Sequence, residues 1–205
     1  MMEQQSPEFI VEAFADPNSV RDIVRGILHT IFFLRFFPAI PPQTRDVLGL
    51  ELPYVPEPEI ETLIDQRADT LARQLEAERN RPHQHPGSGG SSGRGQVTVQ
   101  FLEKQRRKKN WYAMRGEDEV CWEVWTLKVT VAEPRNEAER AKVRRASETT
   151  LQNTLFKIIT LANTHKDHIP PITTSEANPF PYLINVNPHH KIPEAGGWAA
   201  KMGIY

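Results

Sequence analysis

The chain has 205 residues, of which 39% are hydrophobic, and this is enough to close one sizeable core. Its 25 basic and 26 acidic residues give a formal charge of -1, so the overall charge does not attract nucleic acid or an anionic membrane. A single cysteine excludes an internal disulfide, and the apolar run from 27 to 37 is interrupted by His29 and Arg35 and is too short to span a bilayer. The composition therefore predicts a soluble, cytoplasmic protein.

The first half of the chain predicts a short strand, two helices and an edge strand. The strand is expected at residues 9–13, followed by a long amphipathic helix that Asp16 caps and Pro38 stops. Residues 48–54 alternate as in a strand, and Pro53 within them indicates a sheet edge. The second helix carries apolar side chains on one face, at Ile60, Leu63, Ile64, Ala68, Leu71 and Leu75.

The second half predicts a loop, a long hairpin, a helix and a last strand. About residues 80–95, a Gly- and Ser-rich run is expected to be a flexible, low-complexity loop. A strand from Val97 should then pair with residues 120–131, so that the segment between them is a hairpin tip. Asn136 and Glu139 resemble a capping box for a helix with Leu151, Leu155, Ile158, Ile159 and Ala162 inward.

We expect the last strand at residues 180–186 and a poorly ordered tail at about 188–205. This order of elements favours an α+β fold class, in which three long helices pack against an antiparallel sheet with a long β-hairpin, in a single domain spanning 1–205. In the long strand, alternation puts Val120, Trp122 and Val124 on one face and Trp125, Leu127, Val129 and Val131 on the other. That strand should be buried at least partly on both sides.

Trp111 and Tyr112 lie between a basic run at 104–109 and an acidic run at 117–119. The charged neighbours make burial of the two rings costly, so we expect an exposed pair at the hairpin tip, which is typical of a binding hot spot. Two other interpretations stay open. The basic and aromatic residues of 104–112 could form a nucleic-acid-binding module by phosphate neutralisation and base stacking, although the acidic run argues against it, or the segment could be a solvated flank.

Aromatic residues surround the end of the first helix. At about 100° per residue, Phe32 and Phe36 point away from the apolar stripe, and Phe33 flanks its other side. Such rings must be covered, either within this chain, by the tail or by residues 39–43, or by a partner protein. We treat Phe32, Phe33 and Phe36 as candidate partner-interface residues.

No sequence pattern points to catalysis, a cofactor or a metal. The chain has no glycine-flanked serine elbow, and its Gly-rich loop lacks the lysine of a phosphate cradle. Two histidine pairs fall in the loop and the tail, and the single cysteine has no companion thiolate. We expect His165 and His168 to satisfy carbonyls at the end of the third helix. The sequence therefore predicts a non-enzymatic protein without cofactor or metal.

The basic residues, Trp111, the acidic run and residues 122–129, which read Trp-Glu-Val-Trp-Thr-Leu-Lys-Val, together resemble the signature of the autophagy-related protein 101 family. The resemblance extends to Ile-Leu-His-Thr at 27–30, to the helix from 136 to 165 and to Pro-Tyr-Leu at 181–183. It covers most of the chain in the same order.

The resemblance implies a HORMA domain without catalysis, acting as a scaffold or adaptor subunit of the autophagy-initiating kinase complex. Such proteins form a heterodimer with the HORMA domain of autophagy-related protein 13 and stabilise it. Through an aromatic finger they recruit downstream factors to the preautophagosomal structure during autophagosome assembly. Trp111 matches the finger's tryptophan. Animal members continue with proline and phenylalanine where this chain has Tyr112 and Ala113, which makes Tyr112 the candidate second ring.

Overall fold

The computed structural model describes residues 6–79, 93–106, 117–132, 134–173 and 178–187. The elements in chain order are β1 (Glu8–Ala15), α1 (Val20–Arg35), β2 (Gln43–Val47), β3 (Leu50–Tyr54), α2 (Pro58–Arg79), β4 (Gly93–Arg106), β5 (Glu117–Val131), α3 (Glu137–Thr164) and β6 (Tyr182–Val186). A four-stranded sheet has the order β1-β5-β4-β6, and β2 and β3 form a separate two-stranded sheet. The predicted α+β class with three helices is confirmed.

The larger sheet is mixed, so the prediction of an antiparallel sheet is wrong for one strand. β4 is antiparallel to β5 and to β6, whereas β1 is parallel to β5 from the Glu8 and Val124 pair to the Ala15 and Val131 pair. Alternation along a strand tells which face is buried, but it does not tell the direction of the neighbouring strand. The parallel direction of β1 relative to β5 could therefore not be predicted from the residues of β1.

One face of this sheet carries the core. The strand register brings its apolar side chains into matching rows, and all are 7% exposed or less: Phe9, Val11, Ala13, Val97, Val99, Trp125, Leu127, Val129 and Ile184. The opposite face of β5 is only partly buried, because Thr126 is buried, Val124 is half-buried and Lys128 is exposed. The predicted face of Trp125 and the partial burial of β5 on both sides are confirmed. The predicted face of Trp122 is wrong, because a register shift between Phe101 and Leu102 leaves it without a partner on β4 and its ring packs against Phe101.

The first helix begins later than the sequence predicted. Asp16 nevertheless caps the turn at 17–19 that leads into it, because its carboxylate accepts hydrogen bonds from the N–H groups of Asn18 (2.8 Å) and Ser19 (3.2 Å), and its carbonyl accepts one from the Val20 N–H (3.1 Å). The helix starts after this turn, at Val20. The short aspartate side chain prefers its own following backbone, which is typical of turns.

A short hairpin precedes α2. Leu48 (φ 55°) and Gly49 (φ 81°) form its turn, and two successive residues at positive φ match the twist of paired strands. The predicted strand at 48–54 therefore begins only at Leu50, and its partner β2, which is exposed except at Val47, was not predicted because it lacks apolar alternation. Pro53 lies in an edge strand, as expected for a two-stranded sheet.

The third helix has the expected start and an unexpected face. Asn136 accepts a hydrogen bond from the Glu139 N–H (2.8 Å), which confirms the cap, while the Glu139 carboxylate reaches the Arg135 N–H (2.7 Å). Ile159 was predicted to point inward, but it is 40% exposed because the buried side of α3 follows Leu151, Ile158 and Ala162. The Thr154 hydroxyl donates to the Glu12 carbonyl, which fastens α3 to β1.

Two predicted irregular segments fall mostly outside the described residues. Residues 93–95, which the sequence assigned to the flexible loop, belong to β4 and pair with β5. The remainder of that loop, 80–92, and the tail at 188–205 are not among the described residues.

α1 packs closely against the β2–β3 hairpin at Gly26. A Cβ atom at this position would lie 2.6 Å from the Leu52 Cδ2 atom and 3.2 Å from the Val47 Cγ2 atom. Leu52 is 1% exposed, so its side chain has little room to move. Glycine at position 26 thus permits close packing of α1 on the β2–β3 hairpin, and a larger residue would push the two elements apart.

We expect Gly26→Ala to lower the free energy of unfolding by about 1–3 kcal/mol through overpacking. Helix propensity alone predicts a gain of up to about 1 kcal/mol, so the sign of the change separates the two effects. Urea denaturation measures it. Combining Gly26→Ala with Leu52→Val should recover part of the loss, and a Gly26→Ala protein as stable as the wild type would contradict the close contact.

Candidate protein-interaction site

The strands β4 and β5 continue beyond their neighbours. β1 reaches β5 only as far as Val124, whose N–H donates to the Pro7 carbonyl (3.0 Å), and β6 reaches β4 as far as Phe101. Past this point, residues 102–106 pair only with residues 117–121 in the part of the chain that the structure describes. We call these ten residues the ribbon; at about 3.4 Å per residue, its five pairs extend roughly 17 Å from the sheet.

The ribbon leads to the residues that the sequence singled out. Trp111 and Tyr112, with the basic residues 107–109, lie in the segment 107–116 that joins β4 to β5 and is outside the described residues. Of the basic run, Lys104 and Arg106 belong to β4, and Lys104 is half-buried. The structure therefore describes the support of the predicted finger, and the finger itself stays a prediction.

The end of α1 departs from the sequence prediction at Phe32. The ring is fully buried and packs against Phe101 (centroids 5.5 Å apart) and Tyr182 (4.9 Å). The prediction that Phe32 faces a partner is wrong for this structure, because β4 and β6 cover the side of α1 that lies opposite the apolar stripe. Burial within the chain, the other possibility left open, accounts for this ring.

Three other rings at the end of α1 remain accessible to different degrees. Phe33 and Phe36 are half-buried and pack on the edge of the core, so both keep a free side. Phe37 is 39% exposed and makes an edge-to-face contact with Phe180 at 5.4 Å. An accessible aromatic surface thus exists at this helix end, displaced from Phe32 toward Phe33, Phe36 and Phe37.

A buried charge cluster lies beneath this surface. Arg35 at the end of α1 and Glu123 in β5 are at most 4% exposed, and Arg35 Nε donates to Glu123 Oε1 at 2.8 Å. The same carboxylate accepts a hydrogen bond from Trp125 Nε1, and its Oε2 lies 2.7 Å from His168 Nε2. Glu123 therefore has partners at both oxygens, which a buried carboxylate requires.

The Arg35 guanidinium also closes the end of α3. Nη1 donates to the Ala162 carbonyl and Nη2 to the His165 carbonyl, each at 3.2 Å. These oxygens have no partners within the helix, and a cation there interacts favourably with the helix dipole. The sequence assigned this function to two histidines. It is right for His165, whose Nδ1 lies 3.2 Å from the Leu161 carbonyl oxygen, and wrong for His168, which contacts Glu123.

Sequence reasoning missed both Arg35 and Glu123, although a signal was present. Arg35 stands among phenylalanines, and Glu123 stands between Trp122 and Val124 in a strand predicted to be buried. A charged residue inside an apolar pattern needs a buried partner of opposite charge, so the two could have been matched.

A second polar group is buried where α1 meets the hairpin. His29 is 3% exposed, its Nδ1 accepts a hydrogen bond from the Val55 N–H (3.4 Å), and its ring lies 4.3 Å from that of Tyr54. Burial, with help from the nearby cations Arg25 and Arg45, lowers the pKa of His29 to about 4. Burial raises the pKa of Tyr54 to about 12. His29 is thus neutral at pH 7.

No group of three His, Cys, Asp or Glu side chains is arranged to hold a metal ion in the described ranges. Within the same ranges, no helix is long and apolar enough to cross a membrane. The described surface also exposes apolar side chains, with Phe156 at 62% and Ile172 at 56% exposure in addition to the rings of α1. Such side chains are suited to contacts with other proteins.

Comparison with known proteins gives a consistent result. The family model for autophagy-related protein 101 matches residues 12–176, a range that includes Trp111 and Tyr112. An Arabidopsis thaliana autophagy-related protein 101 is 29% identical over 188 residues, which cover 82% of this chain and 79% of the relative. A Schizosaccharomyces pombe protein of the same name is 25% identical over 164 residues, 80% of this chain and 77% of the relative. A Xenopus tropicalis protein of the same name is 33% identical over 87 residues, which cover 42% of this chain and 38% of the relative.

The charge cluster generates the first prediction of this section. Glu123→Gln leaves Arg35 charged and buried without a counter-ion, which should cost about 3–5 kcal/mol of the free energy of unfolding. In a second comparison, Arg35→Met and Glu123→Leu are made singly and together. The double variant should lose about 1–3 kcal/mol less of the free energy of unfolding than the sum of the losses in the two single variants. Chemical denaturation of the four proteins tests this, and additive losses would show that the pair does not act as a unit.

The second prediction concerns pH. The folded protein holds His29 neutral down to about pH 4, whereas the unfolded chain takes up this proton near pH 6.5, so acid favours the unfolded state. The contribution of neutral His29 to the free energy of unfolding is fully present above pH 6.5 and falls by about 3 kcal/mol as the pH drops toward 4. His29→Asn keeps an acceptor for Val55 but does not titrate. The free energy of unfolding, measured by denaturation at several pH values between 7.5 and 4, should therefore fall less steeply with decreasing pH for His29→Asn than for the wild type. The same pH dependence in both proteins would contradict the prediction.

Proposed function

This chain belongs to the autophagy-related protein 101 family and so has a role in autophagy, and from this membership we propose that it is a non-enzymatic scaffold of autophagy initiation. In this proposal the chain is a single HORMA domain that forms a heterodimer with the HORMA domain of autophagy-related protein 13 and stabilises it. It joins the autophagy-initiating kinase complex in the cytoplasm and at the preautophagosomal structure. There it recruits downstream factors through Trp111 and Tyr112.

The observation that carries the proposal is the ribbon. The two strands extend roughly 17 Å past their neighbours and their pairing is described as far as Arg106 and Glu117, which supports an adaptor that reaches a further protein through the residues between these two. The family match spans the ribbon and the segment that it carries. Charged residues on both sides of Trp111 and Tyr112 favour solvent exposure of the two rings.

The surface at the end of α1 supports a contact with the HORMA partner. Phe33 and Phe36 are half-buried and Phe37 is exposed, so the three rings together offer apolar area that a partner could cover. Phe32 is not included, because its ring is already in the core. Aromatic side chains are enriched in such interfaces because they bury a large area with few rotatable bonds.

We expect recruitment and assembly to be separable. Changing Trp111 and Tyr112 together to Ala should leave stability within about 0.5 kcal/mol of the wild type, because little native burial is lost, and should preserve co-purification with the HORMA partner. The same variant should fail to support autophagic flux when it replaces the wild type in cells. Thermal melting, co-purification and flux measurements test the three parts.

The matched control changes the other surface. Phe33→Ser with Phe36→Ser should lose the HORMA partner while the ribbon and finger are intact, with the thermal midpoint confirming that the chain still folds. Normal flux with the Trp111 and Tyr112 variant would remove the finger from the proposed function. Loss of salt-sensitive binding to single-stranded RNA as its only defect would favour the nucleic-acid module instead.

A further inference from the structure

The ribbon leaves the sheet at an irregularity in β5. Phe101 pairs with Glu123 and the next residue, Leu102, pairs with Cys121, so Trp122 has no partner on β4. This is a β-bulge, which bends a strand pair and increases its local twist. The bulge lies where β1 and β6 stop pairing with β5 and β4. Beside it, the Leu102 N–H donates to the Pro181 carbonyl (2.8 Å), next to the last residue pair of β6.

The bulge explains how two successive residues reach the same neighbour. In a regular strand, Trp122 and Glu123 would point to opposite faces. Here the Trp122 ring lies 5.8 Å from the His168 ring, while the Glu123 carboxylate is 2.7 Å from His168 Nε2. Both side chains are buried, with Trp122 at 6% and Glu123 at 0% exposure.

The Trp122 ring is held by several parts of the chain. Its centroid lies 5.2 Å from that of Phe180 and 5.7 Å from that of Phe101. Moving the bulge by one residue would turn either Trp122 or Glu123 away from these contacts, because a shift of one residue exchanges the two faces of a strand. The position of the bulge is therefore fixed by an aromatic cluster on one side and by the Arg35 ion pair on the other.

We propose that Trp122 is a positioning residue, whose insertion among Phe101, Phe180 and His168 fixes the bulge and thereby the direction in which the ribbon projects. This inference rests on the proposed function, because the direction of the ribbon determines where Trp111 and Tyr112 are presented. Two strands without flanking neighbours are only marginally stable, so the base of the ribbon must set its orientation. A tilt of about 20° at the base, as large as the twist between adjacent strands, moves the tip by roughly 6 Å.

The test measures direction and function separately in the full chain. Spin labels are placed at Gln105 in the ribbon and Gln152 on α3, both exposed, in a background with Cys121→Ser, and the distance between them is measured by pulsed electron resonance. Trp122→Ala should shift or broaden that distance distribution by several ångströms, roughly as estimated above. Trp122→Phe, which keeps an aromatic ring at the bulge, should restore the wild-type distribution.

Autophagic flux is measured for the same variants beside Trp111→Ala with Tyr112→Ala. We expect Trp122→Ala to reduce flux toward that double variant and Trp122→Phe to restore it, with co-purification of the HORMA partner retained throughout. If Trp122→Ala does not fold, Trp122→Leu fills the core and should give an intermediate distance shift. An unchanged distance distribution in the folded Ala or Leu variant overturns the inference.

The two proposals fail in different ways. Normal flux in Trp122→Ala, with loss of flux in the Trp111 and Tyr112 variant, refutes positioning while keeping the finger. Normal flux in the Trp111 and Tyr112 variant refutes the finger, and the distance measurement then decides alone whether Trp122 directs the ribbon.

Discussion

The buried ion pair between Arg35 and Glu123 is the contact on which the arrangement of this domain depends. It joins the end of α1 to the middle of β5, and through the remaining donors of the guanidinium it also holds the end of α3. Moving two charges out of water costs several kcal/mol each, and this is offset only when nearly every hydrogen-bonding position has a partner. α1, β5 and α3 must therefore meet in one geometry.

This requirement also explains the bulge. Glu123 must point to Arg35, while Trp122 must enter the cluster formed by Phe101, Phe180 and His168, and a regular strand cannot direct both side chains to the same face. One extra residue in β5 resolves the conflict. The ribbon leaves the sheet at this point, so the charge cluster in the core and the projecting strands are parts of a single arrangement.

Much of the fold follows from local patterns. Alternation along β5 identified the buried face of Trp125, and the Asn136 cap marked the start of α3, because both depend on neighbours in sequence. Features that depend on contacts with strands distant in sequence could not be predicted in this way. Helical periodicity placed Phe32 outside since it describes one helix in isolation, whereas β4 and β6 cover that side. The parallel direction of β1 likewise requires knowing which distant segments meet. Trp111 and Tyr112 lie outside the described residues and stay a prediction, which rests on the charge of adjacent residues in the sequence.

The parallel pairing of β1 with β5 has a consequence for folding during synthesis on the ribosome. β1 is made first, but its only strand neighbour in the described sheet is made after both α2 and β4. While the ribosome is still producing the middle of the chain, the apolar residues of β1 have no neighbouring strand, and contacts between such distant segments form slowly. β1 therefore has no strand partner, and is open to chaperones and to aggregation, until β5 has emerged.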